Sequence, residues 1–531
     1  MRPLIRFGVA ALAATAISGC ASFQHRSQMT DFNTAYASGD YTTALQSMAF
    51  DIDSEKEVDT EAHLLEILHQ AELYRLNGNF SKSAEYYDLA EQGMKYLDTE
   101  NLAEESGETF MAVMINDSAR DYEALMSEAV LVNTYKALAF LAEGNNEYAR
   151  IEFNRADDRT RRAVDFFADE IAEQQEKLAE EAREAAEAEA ASANAEDGES
   201  PQDSAANSAL FARQSLQSEG LQQAVAGNYG EPSQWAVYSE FIVPASTYLN
   251  GLYFLANGAV SSDYDKAVDS LKRVAQMNED SPQLLNDLAL AEDLAAGRQR
   301  PEELKPQVWV VYENGLGPVL EEMRFDVPLL LFHGNQQAPA YTGIALPRYA
   351  SRSAIPGHLI AITGEGTTAE TEVLSDMGTV FQTEMKARFT GVLTRAVASA
   401  VVKAVIQNEA SERFGLAGQL GSALLTAATT QADLRGWQAL PDHWQVTRIS
   451  RPQDGELTLA QDDGTTLGSV TIPDQPFTLV YVKRPSLQAP ATVMTLDLQG
   501  ASPGSMARLP AVPEKAEVSS ASNPESGGNN Q

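Results

Sequence analysis

The chain has 531 residues, 44% of them hydrophobic and 21% charged, with a formal net charge of -38 at pH 7. That length leaves room for about three domains, and the charge argues against nucleic acid or an anionic membrane surface as electrostatic partners. A single cysteine, Cys20, excludes an internal disulfide.

That cysteine closes a leader. Arg2 and Arg6 precede an apolar run from Phe7 to Ile17, which is too short to span a bilayer, since a span takes roughly 20 apolar residues. Ile17, Ser18 and Gly19 then stand before Cys20. This stretch resembles the lipobox of bacterial lipoproteins. The resemblance implies a signal peptide over 1–19, cleavage before Cys20, a diacylglyceryl group on its sulfur and an acylated amino terminus. Several acyl chains, at roughly 0.8 kcal/mol per buried methylene, make a stable tether. Ala21 and Ser22 follow with no aspartate. By the same resemblance the chain belongs on the periplasmic face of the outer membrane. The alternative is an ordinary signal peptide cut after Ala14-x-Ala16.

Four later stretches look alike: "YASGDYTTAL" (36–45), "LYRLNGNFSKSAEYYDLA" (73–90), "LAFLAEGNNEYARIEFNRA" (138–156) and "SSDYDKAVDSLKRVAQMN" (261–278). Each reads as a helix, a tight turn and a second helix. They resemble the tetratricopeptide repeat (TPR), a helical hairpin of about 34 residues. On that resemblance Gly39, Gly78 and Gly144 are turn glycines, and Tyr41, Phe80 and Tyr264 are the aromatic wedge. Ala44, Ala149 and Ala267 take the small position where helices cross. Tyr87 and Phe153 precede Ala90 and Ala156, as the repeat asks. Spacing is irregular. Asn146 stands at one wedge, Ser83 at one small position and Ser262 where a turn glycine belongs. The expected fold is therefore a degenerate TPR-like helical solenoid over 20–168, resumed over 208–300, with a generic helical bundle as the alternative.

Between the two parts the composition shifts. Asp169 to Glu199 carries twelve acidic residues against Lys177 and Arg183. We expect an acidic helix fading into a disordered linker over 169–207.

After Pro301 and Pro306 the pattern turns to strands. A β-rich part is expected over 307–372, opening with "QVWVVYENGLGP", where Asn314-Gly315 signals a hairpin. From Leu374, apolar residues at 377, 381, 385, 389, 392, 396 and 400 give a helical period, with Lys386, Arg388, Arg395 and Lys403 making it locally basic. The uncharged stretch 415–432 suggests a second helix, so a helical pair is expected over 373–436. Short strands over 437–499 complete a sandwich-like domain, with a turn at Asp463-Gly464. Residues 500–531 read as a disordered tail. The lipobox, the repeats, "VYENGLGPVLEE" (311–322) and "ADLRGWQALP" (432–441) together resemble a group of Gram-negative envelope lipoproteins with no agreed activity.

Chemistry is sparse. No Gly-x-Ser-x-Gly elbow or phosphate loop occurs. Glu66 and His69 make half of a di-iron motif, but the site needs two copies. "DIDSEKEVDTEA" (51–62) carries Lys56 where a calcium loop needs glycine. Arg435 and Trp437 are the best candidates for a specific contact, weighed against a packing role for Trp437 and a local ion pair for Arg435. The expectation is a lipid-anchored periplasmic scaffold that is not an enzyme. It would hold envelope proteins in its repeat groove, with no cofactor, no metal and no nucleic acid. The alternative is a glycan hydrolase working through paired carboxylates.

Overall fold

The computed structural model describes residues 27–50, 58–95, 121–163, 167, 211–238, 243–258, 260–333, 336–429 and 431–511. The leader with Cys20, the acidic run and the end of the tail lie outside them.

Helical hairpins come first. Residues 27–37 (α1) pair with Tyr41–Ser47 (α2), Leu64–Leu76 (α3) with Phe80–Gly93 (α4), and Met126–Ala142 (α5) with residues 146–163 (α6). A fourth hairpin joins Pro244–Ala256 (α9) to Ser261–Met277 (α10), followed by Pro282–Ala295 (α11). The first three turns share one device. Gly39, Gly78 and Gly144 adopt φ near +75°, which ends one helix in the left-handed region. The next residue caps the following helix: Asp40 accepts from the Thr43 N–H, Asn79 from Lys82 and Asn145 from Tyr148. Tyr41, Ala44, Ala149 and Ala267 are fully buried where the helices meet. Ser83 fits because its hydroxyl donates to the Ala71 carbonyl on the facing helix.

The strands form three sheets. The strands are β1 (Gln307–Asn314), β2 (Val319–His333), β3 (Gln336–Ala350), β4 (Leu359–Thr363), β5 (Thr368–Glu370), β6 (Glu372–Asp376), β7 (His443–Ser450), β8 (Glu456–Gln461), β9 (Thr466–Thr471), β10 (Phe477–Arg484), β11 (Ala491–Asp497) and β12 (Ser505–Leu509). One sheet has six strands in the order β12-β11-β10-β1-β7-β6, one four in the order β5-β4-β8-β9, and one is a ribbon of β2 and β3. Central strands β1 (Gln307–Asn314) and β10 (Phe477–Arg484) run parallel, while their outer neighbours β7 (His443–Ser450) and β11 (Ala491–Asp497) are antiparallel to them. Both faces of β1 are covered. Val308, Val310 and Tyr312 pack toward the four-stranded sheet, and Trp309 and Val311 pack toward the helices. The result is three layers, with the helical hairpins on one face of the main sheet and the small sheet on the other. This explains why β1 and β10 read as continuous apolar runs.

The helix–sheet seam holds a charge cluster. Glu72 and Arg75 come from α3, Glu313 from β1 and Lys483 from β10, all at most 1% exposed. Arg75 pairs with Glu72 at 2.7 Å, and Lys483 lies 2.7 Å from Glu313 and 3.2 Å from Glu72. Tyr135 and Tyr481 hydroxyls donate to Glu313, and Tyr87 donates to Glu72. Burial alone would raise the Glu313 carboxyl, but Lys483 and Arg75 hold it below its ordinary value. Two cations face two anions, so the cluster is neutral and its groups are mutually paired.

A separate arm is built on the ribbon. Strands β2 (Val319–His333) and β3 (Gln336–Ala350) pair along their whole length. The helix Met377–Thr429 (α12) and helices 211–216 (α7) and Glu219–Tyr229 (α8) share an apolar cluster with it. That cluster includes Tyr229, Val327, Ile344, Phe389 and Val397. A two-stranded ribbon is marginal in water unless a face is covered, and these helices supply the cover.

Four expectations change. Residues 211–229 serve the arm, not the helical array. Asn314-Gly315 is not a hairpin, because β1 pairs with β10 and β7. The Asn314 side chain instead clamps the Ile355 backbone in both directions. The tail is ordered as far as β12 (Ser505–Leu509), which pairs with β11. The helical pair over 373–436 is one uninterrupted helical run, since no proline breaks it and glycine weakens a helix by only about 1 kcal/mol. A straight run of 53 residues would be about 80 Å long. Yet Met377 donates to Asp442, Gly317 to Leu440, and Ala432 to Glu322. Those links keep its ends within about 60 Å at full chain stretch, so the run bends.

Candidate functional site

The segment 432–441, "ADLRGWQALP", has no regular structure over most of its length, and its polar groups bond outward. The Trp437 N–H donates to Glu128 and the Gln438 N–H to His69 Nε2. The Gln438 carbonyl accepts from Arg352, and Ala439 accepts from both Tyr36 and Lys483. The segment thus fastens α1, α3 and α5 to the sheet. Trp437 is 2% exposed and its ring lies edge-on to Tyr87 and Tyr135. Arg435 pairs with Asp433 at 2.6 Å. Of the two readings open for this motif, packing and a local ion pair are what the geometry holds.

The same segment floors a cleft of about 270 Å³. One wall is a stripe of α12: Phe381, Met385, Arg388, Val392, Arg395, Ser399 and Lys403. Their three- and four-residue steps keep them on one helical face. The other walls are the ribbon's base, with Leu320, Pro347 and Tyr349, and the start of α5, with Tyr122, Leu125 and Glu128. Tyr349 stacks on Phe381 at 4.9 Å and closes the inner end.

Two buried carboxylates brace this corner. Glu128 accepts from the Leu125 and Trp437 N–H groups and from the Tyr122 hydroxyl. Burial pushes it up to about 7, only partly offset by those donors, and nearby Glu384 adds to the rise. Glu384 accepts from the Met126 N–H at 2.6 Å and from the Ser127 hydroxyl at 2.7 Å. Burial raises it too, against the pull of Arg388. Both sit at the amino end of α5, where backbone N–H groups lack helical partners. All four of their oxygens receive donors, so the pair fixes α5 to its neighbours.

Residues nominated from sequence fall in different places. Arg435 and Trp437 meet at the cleft. The turn residues Gly39, Gly78 and Gly144 lie against the main sheet's far edge, beside Pro490, Met506 and Pro503. Phe80 is half-buried and Tyr264 partly so, at their own turns. His69 is buried, its Nδ1 bonded to the Leu65 carbonyl. Glu128 and Glu384 were missed. Leu125 occupies the position where Ser or Thr would have announced a capping box, and Glu384 reads as one more helical acid. Among the described residues no three candidate metal ligands gather, and no helix is long and apolar enough to cross a membrane. No protein-family model matches the chain, and no curated protein or solved structure matches it either.

Proposed function

We propose that the chain is a lipid-anchored adaptor on the periplasmic face of the outer membrane, held by acyl chains on Cys20 and binding other envelope proteins rather than catalysing a reaction. The leader and its single cysteine support the anchor. The glycine-turned hairpins support a TPR-like ancestry for the helices, although their use differs from an open array. Such arrays commonly grip partners on the inner surface. Here the first helices of the hairpins meet the sheet: α5 buries nearly every residue and α9 buries all of them. Docking is therefore assigned to the cleft along α12.

The observation that carries this reading is the shape of the cleft. Its helical wall extends over the turns from Phe381 to Lys403, about six helical turns at 3.6 residues each, so it suits an elongated partner segment. The bracing of Glu128 and Glu384 by backbone donors supports binding over acid–base chemistry.

The test is photo-crosslinking in intact cells, with a photoreactive residue at Ser399 or Leu320 in the cleft, or at exposed Lys386 as control. The same envelope protein captured from both cleft positions and not from Lys386 supports the adaptor. Capture from none of them overturns it. The anchor is tested separately: Cys20→Ser should abolish palmitate labelling and release the protein from membranes.

A further inference from the structure

We infer that the root of the arm is a proton-operated joint: while a proton is held there, Glu128 and Glu384 tie α12 and the cleft floor to the start of α5, and its loss to solvent loosens that tie. This deepens the adaptor reading by giving its cleft a control, and rests on that reading only for what the control serves.

The first argument is that two acids share one short stretch of backbone. Glu128 accepts from the Leu125 N–H at 2.8 Å, and Glu384 accepts from the next two, Met126 at 2.6 Å and Ser127 at 3.3 Å. Successive donors thus bring together two carboxyls from different elements, and both are fully buried. Through Glu384 the hold reaches α12, one turn after Phe381 in the cleft wall. Through Glu128, whose other oxygen accepts from the Trp437 N–H, it reaches the floor.

The second argument is the kind of partner. At the helix–sheet seam two acids meet two cations. At this joint the hydrogen bonds to both acids come from neutral donors. One hydroxyl faces each acid: Tyr122 donates to Glu128 and Ser127 to Glu384, both at 2.7 Å. A hydroxyl can turn round and accept, so either acid keeps a partner while it carries the proton.

The charged surroundings point the same way. Arg388 on α12 pulls Glu384 down. Arg435 lies over the Tyr122 ring and is bridged to Asp433. Tyr349 on β3 is buried with its hydroxyl held well above the ordinary value, so it stays neutral. His69 of α3 accepts from the Gln438 N–H, and Asp121 and Glu123 add negative charge at the exposed edge. Burial leads, with repulsion between the two acids added: Glu128 is pushed up to about 7 and Glu384 is raised as well. Protonation therefore favours the closed joint. A carboxyl at about 7 when closed and at 4.5 once opened to water costs the closing equilibrium about tenfold between pH 6 and pH 8.5.

Hydrogen exchange on the full mature chain carrying Cys20→Ser tests the joint, read as protection factors so that the intrinsic pH dependence of exchange is divided out. Protection over residues 125–130 should fall about tenfold between pH 6 and pH 8.5, while that of β1 stays within about twofold. Glu128→Gln should flatten the fall. Glu384→Gln, which removes the repelling neighbour, should reduce it and stands in if Glu128→Gln does not fold. Glu123→Gln, at the exposed edge, should leave it as in the wild type. A flat wild-type profile, an equal fall in β1, or a fall undiminished in Glu128→Gln and Glu384→Gln overturns the inference. No partner takes part in this measurement, so crosslinking from Ser399 in cells still decides the adaptor reading on its own.

Discussion

The Lys483 ammonium lies 2.7 Å from the Glu313 carboxylate at the centre of a dry seam, with both residues at most 1% exposed. The two side chains stand on adjacent parallel strands and face the first helices of the hairpins. Removing one partner leaves the other charge buried, which typically costs 3–5 kcal/mol. Lys483→Met and Glu313→Gln should each lower stability by about that much in urea unfolding. Combining Lys483→Met with Glu313→Gln removes both charges of the pair, so the double variant should lose less than the two single losses together. Strict additivity would mean that the two charges do not depend on one another.

The Glu128 corner predicts a pH effect with a definite sign. Burial raises its carboxyl from the ordinary value to about 7 in the folded protein. The protonated form is therefore favoured by folding. Its stabilising contribution is complete below about pH 4.5 and is lost as pH rises through 7. A shift of that size corresponds to roughly 3 kcal/mol. Glu128→Gln carries no such titration. The stability difference between wild type and variant should move in favour of the variant between pH 5 and pH 8, as read from paired thermal melts. A difference that stays flat across that range contradicts the raised value.

Much of this architecture was readable in local patterns, and the unreadable part has a common cause. The glycine turns, their Asp or Asn caps and the Asp463-Gly464 hairpin between β8 (Glu456–Gln461) and β9 (Thr466–Thr471) follow from backbone preferences of single residues. The start of α12 followed from the helical period of its apolar residues, and its basic character from Lys386, Arg388, Arg395 and Lys403. What sequence could not show was pairing at a distance. Trp437 meets Glu128, 309 positions earlier, and β1 lies beside β10 across the whole arm. The apolar runs in β1 and β10 signalled burial on both faces, yet nothing local said that helices cover one of them. The helical and β-rich halves therefore read as separate bodies. Asn314-Gly315 misled for the same reason, since its role depends on Ile355.

The turn glycines can be tested against a glycine that is free of such demands. At Gly144, φ is +73° and an added Cβ would lie 2.8 Å from the Pro503 nitrogen. Gly144→Ala meets both a left-handed backbone, costing about 1–2 kcal/mol for an L-residue, and a clash with chain that has its own place beside β12. Gly227 stands inside α8 with no atom within 4 Å of the same added carbon. Gly227→Ala should raise stability by about 0.5–1 kcal/mol. Denaturant midpoints moving in opposite directions would confirm the contrast. Two shifts of the same sign would contradict it.

Truncation tests whether the end of the chain is structural. Residues 500–509 hold the hairpin turns from outside. The Gly504 N–H donates to the Ala142 carbonyl, Met506 packs against Gly78, and Arg508 donates to the Gly39 carbonyl while lying 4.9 Å from the Tyr41 ring. Strand β12 also covers the edge of β11, whose backbone groups would otherwise be exposed along five paired residues. Ending the chain after Gln499 removes these supports from three consecutive hairpins at once. The shortened protein should melt at a clearly lower temperature than the full-length chain, and its α2 and α4 segments should be cut early in limited proteolysis. A chain ended after Ala511 keeps every one of these contacts and should melt with the full-length protein. If both truncations behave alike, the last strand is an ornament of the sheet rather than a brace for the helices.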